Sequence, residues 1–347
     1  MEEIKKDIRN VTHEELQAFC KEQGWEDYRI RQLQTWIWQK GVISFDEMTN
    51  LSLTMREVLK AHWTFLPLKE DAVQTSSDST IKYRWLCHDG CKIESVLIPV
   101  MDEQRFTLCV SSQVGCSLSC KFCATGQMKR IRNLECSEIW DQVIMVDGHC
   151  RNEYGHHVTN IVYMGMGEPL LNYRNVLCSI EHITSPEGYG MSPRRITVST
   201  AGIEKGIRRL ADDGVKFNLA LSLHAADDAK RSAIMPINDQ NNLASLMSAI
   251  LYFHQKTGGR ISYEYILFKG FNDTIQDAKL LAGLCRQFPV RVNIIEYNPV
   301  EGVNFSRADD AAIDRFGRTL RDLGVMATVR RSRGKDIDAA CGQLANK

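Results

Sequence analysis

Short apolar and β-branched runs recur along the chain from about residue 106 onward, and segments with helical periodicity separate them. In the last of these segments Ile313, Phe316 and Leu320 are three or four residues apart, and Gly324 ends the pattern. Strands that alternate with helices in this way predict βα units and a parallel sheet. Since six or seven such units cannot complete an eight-stranded barrel, we expect an α/β fold with a partial (βα)6 barrel, whose functional residues lie at the C-terminal ends of its strands. The predicted strands are Thr107–Ser111, Asn160–Met164, Arg195–Ser199, Phe217–Leu223, Ser262–Leu267, Val290–Ile295 and Val325–Val329.

The first part of the chain has a different pattern, which predicts three helices and a β-hairpin. Thr12 and Glu15 have the spacing of a capping box, and apolar residues three or four apart predict two more helices, at Tyr28–Gln39 and near Leu53–His62. Alternating residues on both sides of a turn at His88-Asp89-Gly90 predict a hairpin. We therefore expect three parts, which are an N-terminal helical accessory domain over 1–75, a hairpin linker over 76–104 and the barrel core over 105–347.

Composition excludes several classes of protein. The 347 residues include 43 basic and 43 acidic side chains, which argues against a protein that acts through bulk positive charge. No run of 18 apolar residues is present, and the opening residues do not lead into a signal-peptide core, so we expect no membrane segment and a cytoplasmic location. Since structural disulfides are rare in that compartment, we expect some of the 12 cysteines to serve metal binding or catalysis.

Three cysteines follow the first predicted core strand closely. Cys116, Cys120 and Cys123 have the spacing Cys-x3-Cys-x2-Cys on a loop at the C-terminal end of that strand. A structural zinc site takes four ligands, often as two Cys-x2-Cys pairs, and no second pair is present here. Three thiolates on a 4Fe–4S cluster leave one iron open to a small molecule. The motif therefore predicts one 4Fe–4S cluster, with structural zinc as the alternative.

In this position the motif resembles that of the radical S-adenosylmethionine (SAM) superfamily. There the open iron binds the amino and carboxylate groups of SAM, and reductive cleavage gives a 5′-deoxyadenosyl radical. Gly165-Met166-Gly167-Glu168-Pro169 follows the second core strand, where backbone groups and a carboxylate suit the SAM amine; the turn lacks the third glycine of a dinucleotide fingerprint. Together with polar residues at other strand ends, the resemblance implies a SAM site made of Gly167, Glu168, Ser199, Ser222, Leu223, His224 and Asn298.

Longer strings narrow the resemblance to one family. The strings Phe45–Leu51, Tyr163–Asn172, Met235–Asn238 and Arg330–Leu344 are similar to those of the RlmN/Cfr family of RNA adenine methyltransferases, and the resemblance covers nearly the whole chain. Pro169–Asn172 and Arg330–Gly334 are more similar to the RlmN branch, which methylates C2 of adenosine. The Cfr branch methylates C8 and confers antibiotic resistance, and C8 methylation is therefore the alternative within the family.

The family resemblance also implies roles for residues outside the cluster. The C2 carbon of adenine is electron-poor, so family members first methylate a cysteine, which matches Cys341 here. A second SAM supplies a radical that takes hydrogen from the S-methyl group, and the resulting carbon radical adds to the base. Glu94 matches the acceptor of the ring proton, and Cys109 matches the thiol that releases Cys341 as a disulfide. Each turnover uses two SAM molecules and an electron donor such as flavodoxin or ferredoxin.

Local charge, rather than overall composition, favours RNA binding. Segments 113–135, 190–210 and 324–347 each contain at least three more basic than acidic residues, beside predicted strand ends or beside Cys341. The resemblance implies 23S rRNA and tRNA as partners, and not DNA, with the helical domain helping to hold structured RNA. Lys129-Arg130-Ile131 departs from the family pattern, which commonly has a glycine followed by an aromatic or apolar residue here.

Two functions of other kinds fit part of the pattern. A non-catalytic RNA-binding protein stabilised by metal would contain zinc without iron or sulfide, and a radical SAM enzyme for proteins or small molecules would cleave SAM without methylating RNA. Seven cysteines have no convincing partner spacing, and we expect no role for them beyond packing: Cys20, Cys87, Cys91, Cys136, Cys150, Cys178 and Cys285.

Overall fold

The computed structural model describes residues 5–346, so residues 1–4 and 347, at the ends of the predicted first and third parts, lie outside the described residues. The helices are α1 (His13–Glu22), α2 (Tyr28–Gln34), α3 (Leu53–His62), α4 (Ala124–Gln127), α5 (Cys136–Tyr154), α6 (Tyr173–Thr184), α7 (Glu204–Asp212), α8 (Asp228–Ile234), α9 (Leu243–Thr257), α10 (Ile275–Leu284) and α11 (Asp310–Asp322). The strands are β1 (Lys69–Thr75), β2 (Ile81–Leu86), β3 (Lys92–Val100), β4 (Arg105–Cys109), β5 (Gln113–Val114), β6 (Arg132–Asn133), β7 (Asn160–Tyr163), β8 (Ile196–Thr200), β9 (Asn218–Ser222), β10 (Ile261–Leu267), β11 (Arg291–Glu296) and β12 (Met326–Arg330).

The N-terminal helices form where the sequence predicts them. Thr12 Oγ1 accepts from the backbone N–H of Glu15, and the Glu15 carboxylate accepts from the N–H of Thr12, so the predicted capping box begins α1. The predicted helix at 28–39 has two geometries, because α2 ends at Gln34 and a wider π-helical turn, Thr35–Gln39, continues it. That turn buries two tryptophans and an isoleucine against the core.

Ten strands form one sheet, in the order β1-β2-β3-β4-β7-β8-β9-β10-β11-β12. The seven strands from β4 onward, leaving aside the separate β5–β6 pair, are parallel, and six helical crossovers join them. The predicted partial (βα)6 barrel is therefore confirmed. The inner parallel strands are apolar because both faces are buried, whereas β12 at the sheet edge is largely exposed.

The predicted hairpin is confirmed and extends the barrel sheet. β2 and β3 pair in antiparallel register, and β3 also pairs with β4. β1, which the sequence did not predict, pairs with the outer edge of β2. Six of its seven residues are exposed, so it has no apolar alternation that could reveal a strand.

The chain after β12 returns to the hairpin and bridges the two sides of the sheet. Three long-range hydrogen bonds hold this part of the chain. Arg333 donates to the Pro99 carbonyl (2.9 Å), the Gly334 N–H donates to Asp78 (2.9 Å), and the Ser76 hydroxyl donates to Asp336. These contacts join positions 234 to 260 residues apart in sequence. Among residues 5–346, the structure has no helix with the length and apolar character needed to cross a membrane.

Candidate functional site

The loop of residues 115–123, called the cysteine loop below, follows β5 near the C-terminal end of β4. The short β5–β6 pair brackets the loop and the helix α4 that follows it. Gly115 has a φ of +73°, and a Cβ there would lie 2.3 Å from the carbonyl oxygen of Lys129, so only glycine fits. The N–H of Lys121 donates to the carbonyl of Ile234 at 2.9 Å, which fixes the far side of the loop.

Burial raises the pKa of all three thiols of the cysteine loop. The pKa of Cys116 rises to about 11. Burial raises the pKa of Cys120 further, and the neighbouring Cys123 and Cys116 add to the rise, while Arg231 opposes it. The thiols therefore disfavour one another's ionisation. A cationic group bound between them would reverse that effect and favour the thiolate form.

The spacing of these thiols argues for a cluster rather than a single ion. Among residues 5–346, the one group of three or more possible ligands within 4.8 Å of one another lies elsewhere in the fold. A tetrahedral zinc ion with sulfurs at about 2.3 Å would need those sulfurs roughly 3.8 Å apart. Cys116, Cys120 and Cys123 do not form such a group, so their sulfurs do not all lie within 4.8 Å of one another, which suits a 4Fe–4S cluster in which each cysteine would bind a different iron.

A cavity of about 150 Å³ lies at the C-terminal ends of the parallel strands, and the cysteine loop forms part of its wall. Most of the residues predicted for the site line it, namely Cys116, Cys120, Cys123, Gly167, Glu168, Ser199, Ser222, His224 and Cys341. Leu223 is fully buried behind the wall, where its carbonyl accepts from Arg231 at 3.1 Å. Asn298 also lies outside the wall and donates to the carbonyl of Cys341 at 3.4 Å.

Glu168 is held rigidly at the end of β7. Gly167 has a φ of +96°, and a Cβ there would lie 2.4 Å from the Gln113 side chain, so the close approach requires glycine. The Glu168 carboxylate accepts from the N–H groups of Leu170 (3.0 Å) and Ala201 (2.8 Å). Burial raises its pKa to about 7. Each oxygen accepts one of these bonds and keeps a lone pair for a cationic ligand.

His224 presents a defined tautomer to the cavity. Burial lowers its pKa to about 3, so the ring is neutral, and Nδ1 accepts from the N–H of Ile266 at 3.1 Å. The proton is therefore on Nε2, which becomes a donor. The backbone φ of +55° is stabilised by Asn272, whose amide donates to the His224 carbonyl at 2.6 Å. Ser199 and Ser222, 3.3 Å apart through their hydroxyl oxygens, add further polar groups.

The segment of residues 340–346, called the C-terminal segment below, presents Cys341 to the cavity. It is hydrogen-bonded on one side to α4, directly after the cysteine loop, and on the other side to the hairpin. These bonds are Ala124 N–H to Gly342 O (2.7 Å), Thr125 Oγ1 to Leu344 O (2.6 Å), Ala345 N–H to Glu94 Oε2 (2.9 Å) and Asn346 Nδ2 to Lys92 O (2.8 Å). The segment thus joins two parts of the chain that are distant in sequence, with Cys341 between them.

Cys109 and Cys341 are neighbours, and both are free thiols. Burial raises the pKa of Cys109 to about 12, and the proximity of Cys341 adds to the rise. Glu94, the third residue with an implied catalytic role, is buried outside the cavity wall and contacts the C-terminal segment. Its Oε1 lies 3.6 Å from the buried Lys82 Nζ and has no hydrogen bond with the described residues.

Sequence reasoning missed two charged residues of the cavity wall, Glu264 and Arg330. Glu264 Oε1 accepts from Ser262 and Asn293, both at 2.8 Å. Its buried Oε2 has no hydrogen bond with the described residues and lies 3.7 Å from Arg330. The sequence does carry a signal for Glu264, since it is the one charged residue in a predicted strand that is otherwise mostly apolar. A buried carboxylate needs a partner or a function.

Two cysteines without a predicted role form a disulfide, Cys136–Cys178. The expectation that they serve packing alone is therefore wrong. They are 42 residues apart in sequence, and the packing of α5 against α6 brings them together. Local spacing could not reveal this pairing.

Ion pairs neutralise part of the positive charge expected at the RNA-binding surface. Arg331 and Lys335 pair with Glu296 at 2.7 and 2.6 Å, and Lys347 of the same segment lies outside the described residues. Lys129 and Arg130, which depart from the family pattern, are exposed beside the cysteine loop. They are therefore better placed than the paired residues to attract a polyanion.

Comparisons with known proteins agree over the whole chain. The family “Ribosomal RNA large subunit methyltransferase N-terminal domain” matches residues 6–64, and “Radical SAM superfamily” matches residues 110–281. “Probable dual-specificity RNA methyltransferase RlmN” of Christiangramia forsetii is 51% identical over 343 residues, covering 99% of this chain and 97% of the relative. “Dual-specificity RNA methyltransferase RlmN 2” of Myxococcus xanthus is 44% identical over 346 residues, covering 98% of this chain and 91% of the relative. The crystal structure of a radical SAM methyltransferase from Sphaerobacter thermophilus has a TM-score of 0.91 and 39% identity, covering 99% of this chain and 100% of that one.

Proposed function

Because the chain belongs to the RlmN family of radical SAM RNA methyltransferases, we propose that it methylates C2 of adenosine in 23S rRNA and in tRNA through an S-methylated cysteine. The observation that supports this most strongly is that Cys341 and the three thiols of the cysteine loop line one cavity. Cys109 is the neighbour of Cys341. The proposed methyl carrier and the proposed cluster ligands thus face one cavity, and the proposed releasing thiol lies beside the carrier.

The cavity wall offers groups suited to SAM. A 4Fe–4S cluster on Cys116, Cys120 and Cys123 supplies, when bound, the electron that cleaves SAM into a carbon-centred radical. The Glu168 carboxylate accepts hydrogen bonds from the SAM ammonium group. The Nε2–H of His224 donates to an acceptor of SAM, and the hydroxyls at the ends of β8 and β9 bind its polar edge.

Cys341 acts as the methyl carrier. Desolvation of the sulfur inside the cavity raises the pKa of Cys341 although the residue as a whole is exposed, and the nearby Arg330 opposes that rise and favours the nucleophilic thiolate. The sulfur attacks the methyl carbon of a first SAM, a new C–S bond forms, and the sulfonium C–S bond breaks with its electron pair on the departing sulfur. A second SAM per turnover serves the radical step.

Release of the RNA uses Cys109 and Glu94. Once the methylene carbon on Cys341 is bonded to C2, Glu94 Oε1, which has no hydrogen bond with the described residues, accepts the ring proton. The Cys109 sulfur then loses its proton and attacks the Cys341 sulfur, so an S–S bond forms and the C–S bond breaks with its electron pair on the methylene carbon, which takes up a proton and becomes the methyl group. The unpaired electron left by radical addition passes to an oxidised one-electron carrier, and a thiol reductant returns the Cys109–Cys341 disulfide to two thiols. A flavodoxin-like or ferredoxin-like donor provides the electron for the radical step.

RNA is held by the N-terminal domain and by the exposed cations beside the cysteine loop, Lys129 and Arg130. C2 rather than C8 is favoured because Pro169–Asn172 and Arg330–Gly334 are similar to the branch that modifies C2. The target base must leave its stack to reach a cavity at the strand ends.

The test uses full-length protein purified without oxygen and supplied with SAM, a low-potential reductant, and either 23S rRNA or tRNA. We expect 2-methyladenosine in both RNAs by nucleoside mass spectrometry, and an S-methyl group on Cys341 in the purified protein. An 8-methyladenosine product would overturn the C2 assignment, and SAM cleavage without RNA methylation would overturn the RNA substrate.

The cluster assignment has its own measurement. Cys120→Ala should lower iron and sulfide content severely, whereas Cys150→Ala, a matched change at a buried thiol outside the cavity, should leave them at the wild-type level. Wild-type iron in Cys120→Ala, or zinc in place of iron in the native protein, would contradict the assignment.

A further inference from the structure

A second group of metal-ligand side chains lies where α5 begins against α6. We propose that Cys136, Cys178 and His182, in the reduced protein, bind a thiophilic divalent cation such as Zn²⁺, with a water molecule as the fourth ligand. One ligand atom from each residue lies within 4.8 Å of the other two. None of the three lines the cavity that contains the cysteine loop, so the site is separate from the proposed reaction.

The fold gathers these ligands from two helices. Cys178 and His182 are four residues apart on α6 and therefore project from the same face. Cys136 is the first residue of α5, which packs against that face. The positive end of this 19-residue helix favours the thiolate form of Cys136, which is the form that binds metal.

His182 is prepared for coordination by its surroundings. Its ring stacks on Trp38 with centroids 3.5 Å apart and meets Trp140 edge-on at 6.3 Å, so the two indoles fix the ring plane. A neutral imidazole held in one orientation is the form in which histidine coordinates a metal.

The redox state of the two cysteines decides between two forms of the site. In the structure they are joined as a disulfide, with their Cα atoms 5.9 Å apart. A thiol reductant breaks the S–S bond with two electrons and two protons, and metal binding then displaces those two protons. This step rests on the proposed function, since a chain whose cluster must be reduced works where thiols stay reduced, so the dithiol is its working form. The disulfide joins Cys136 to Cys178 and leaves His182 without a role, whereas a bound metal ion would be coordinated by all three side chains.

The experiment measures metal binding to the full-length, cluster-loaded protein. The protein is reduced anaerobically with dithiothreitol, freed of reductant, and titrated with Zn²⁺ against a chromophoric chelator. We expect wild-type protein to bind one equivalent more than Cys178→Ser. His182→Gln should weaken that binding at least about tenfold. Co²⁺, used as a second probe, should give a thiolate-to-cobalt absorption band that is weaker in both variants at the same cobalt concentration.

Cys285→Ser is the matched control, because Cys285 is a partly buried thiol outside the group. It should bind Zn²⁺ like the wild type. Equal Zn²⁺ binding by the wild type and both site variants would overturn the proposal, and so would a Cys136–Cys178 disulfide that persists in mass spectra after reduction. Iron content and RNA methylation are measured on the same samples. A loss of iron would show that the cluster has failed, and a loss of methylation would show that the proposed function has failed, independently of the Zn²⁺ result. A melting temperature for each variant identifies misfolding. If Cys178→Ser does not fold, His182→Gln still tests whether the site binds Zn²⁺.

Discussion

Gln343 anchors the C-terminal segment beside Cys341, and replacing it tests how firmly that segment is held. The side-chain oxygen accepts from the Ala340 N–H at 3.2 Å, and the side-chain nitrogen donates to the carbonyl of Pro299 at 3.1 Å. The residue is 9% exposed. Gln343→Met retains a side chain of similar length and removes both hydrogen bonds.

The expected magnitude follows from those two bonds. Each contributes about 1 kcal/mol net to the closed segment, so their loss favours local opening by about 2 kcal/mol. That free energy corresponds to a roughly 30-fold larger open population. The bonds from Ala124 and Thr125 to the segment remain, so iron content should stay at the wild-type level.

Hydrogen–deuterium exchange of the peptide that contains Cys341 measures this opening. We expect its protected amides, including that of Ala345, to exchange about 30-fold faster in Gln343→Met. Gln240→Met, at an exposed glutamine outside the segment, is the matched control and should not change the exchange of this peptide. Wild-type exchange in Gln343→Met would refute the view that this side chain anchors the segment.

Three further outcomes are expected. Cys109→Ala should accumulate a covalent RNA–protein adduct through Cys341, visible on a denaturing gel; normal turnover would remove Cys109 from the releasing role. Gly167→Ala should weaken SAM binding about tenfold or more, since a Cβ there would lie 2.4 Å from a neighbouring side-chain carbon; wild-type affinity in equilibrium binding would contradict this. Burial raises the pKa of Glu296, but its cationic partners outweigh that effect and lower the pKa from 4.5 to about 2. Its stabilising contribution is therefore full above pH 4.5 and lost as the pH falls towards 2, and Glu296→Gln should flatten the pH dependence of the free energy of unfolding in that window.

The parts of the fold that sequence could predict are those in which a local pattern coincides with burial. The inner barrel strands are rich in buried apolar residues because both faces are covered, and the capping box at Thr12 acts within one helical turn. The cysteine loop could be recognised because its three cysteines lie within a stretch of only eight residues.

The parts that sequence could not predict depend on long-range packing or lack a local signal. β1 is exposed along almost its entire length, so its strand geometry comes from pairing with β2 and not from its own apolar pattern. Cys136 and Cys178 become neighbours only when α5 packs on α6. Glu264 lies within a predicted strand, and its place in the cavity wall depends on the register of β10 with its neighbours.

The return of the chain from β12 to the hairpin also fixes the order in which the cavity is completed during protein synthesis. The hairpin residues that receive Arg333 and Ala345 are made more than 230 residues earlier than these partners. Contacts of such high sequence separation form late in folding. A growing chain can therefore present the cysteine loop to iron and sulfide while the sulfur of Cys341 is not yet made. On the proposed function, the nascent protein therefore gains its proposed cluster ligands before its proposed methyl carrier.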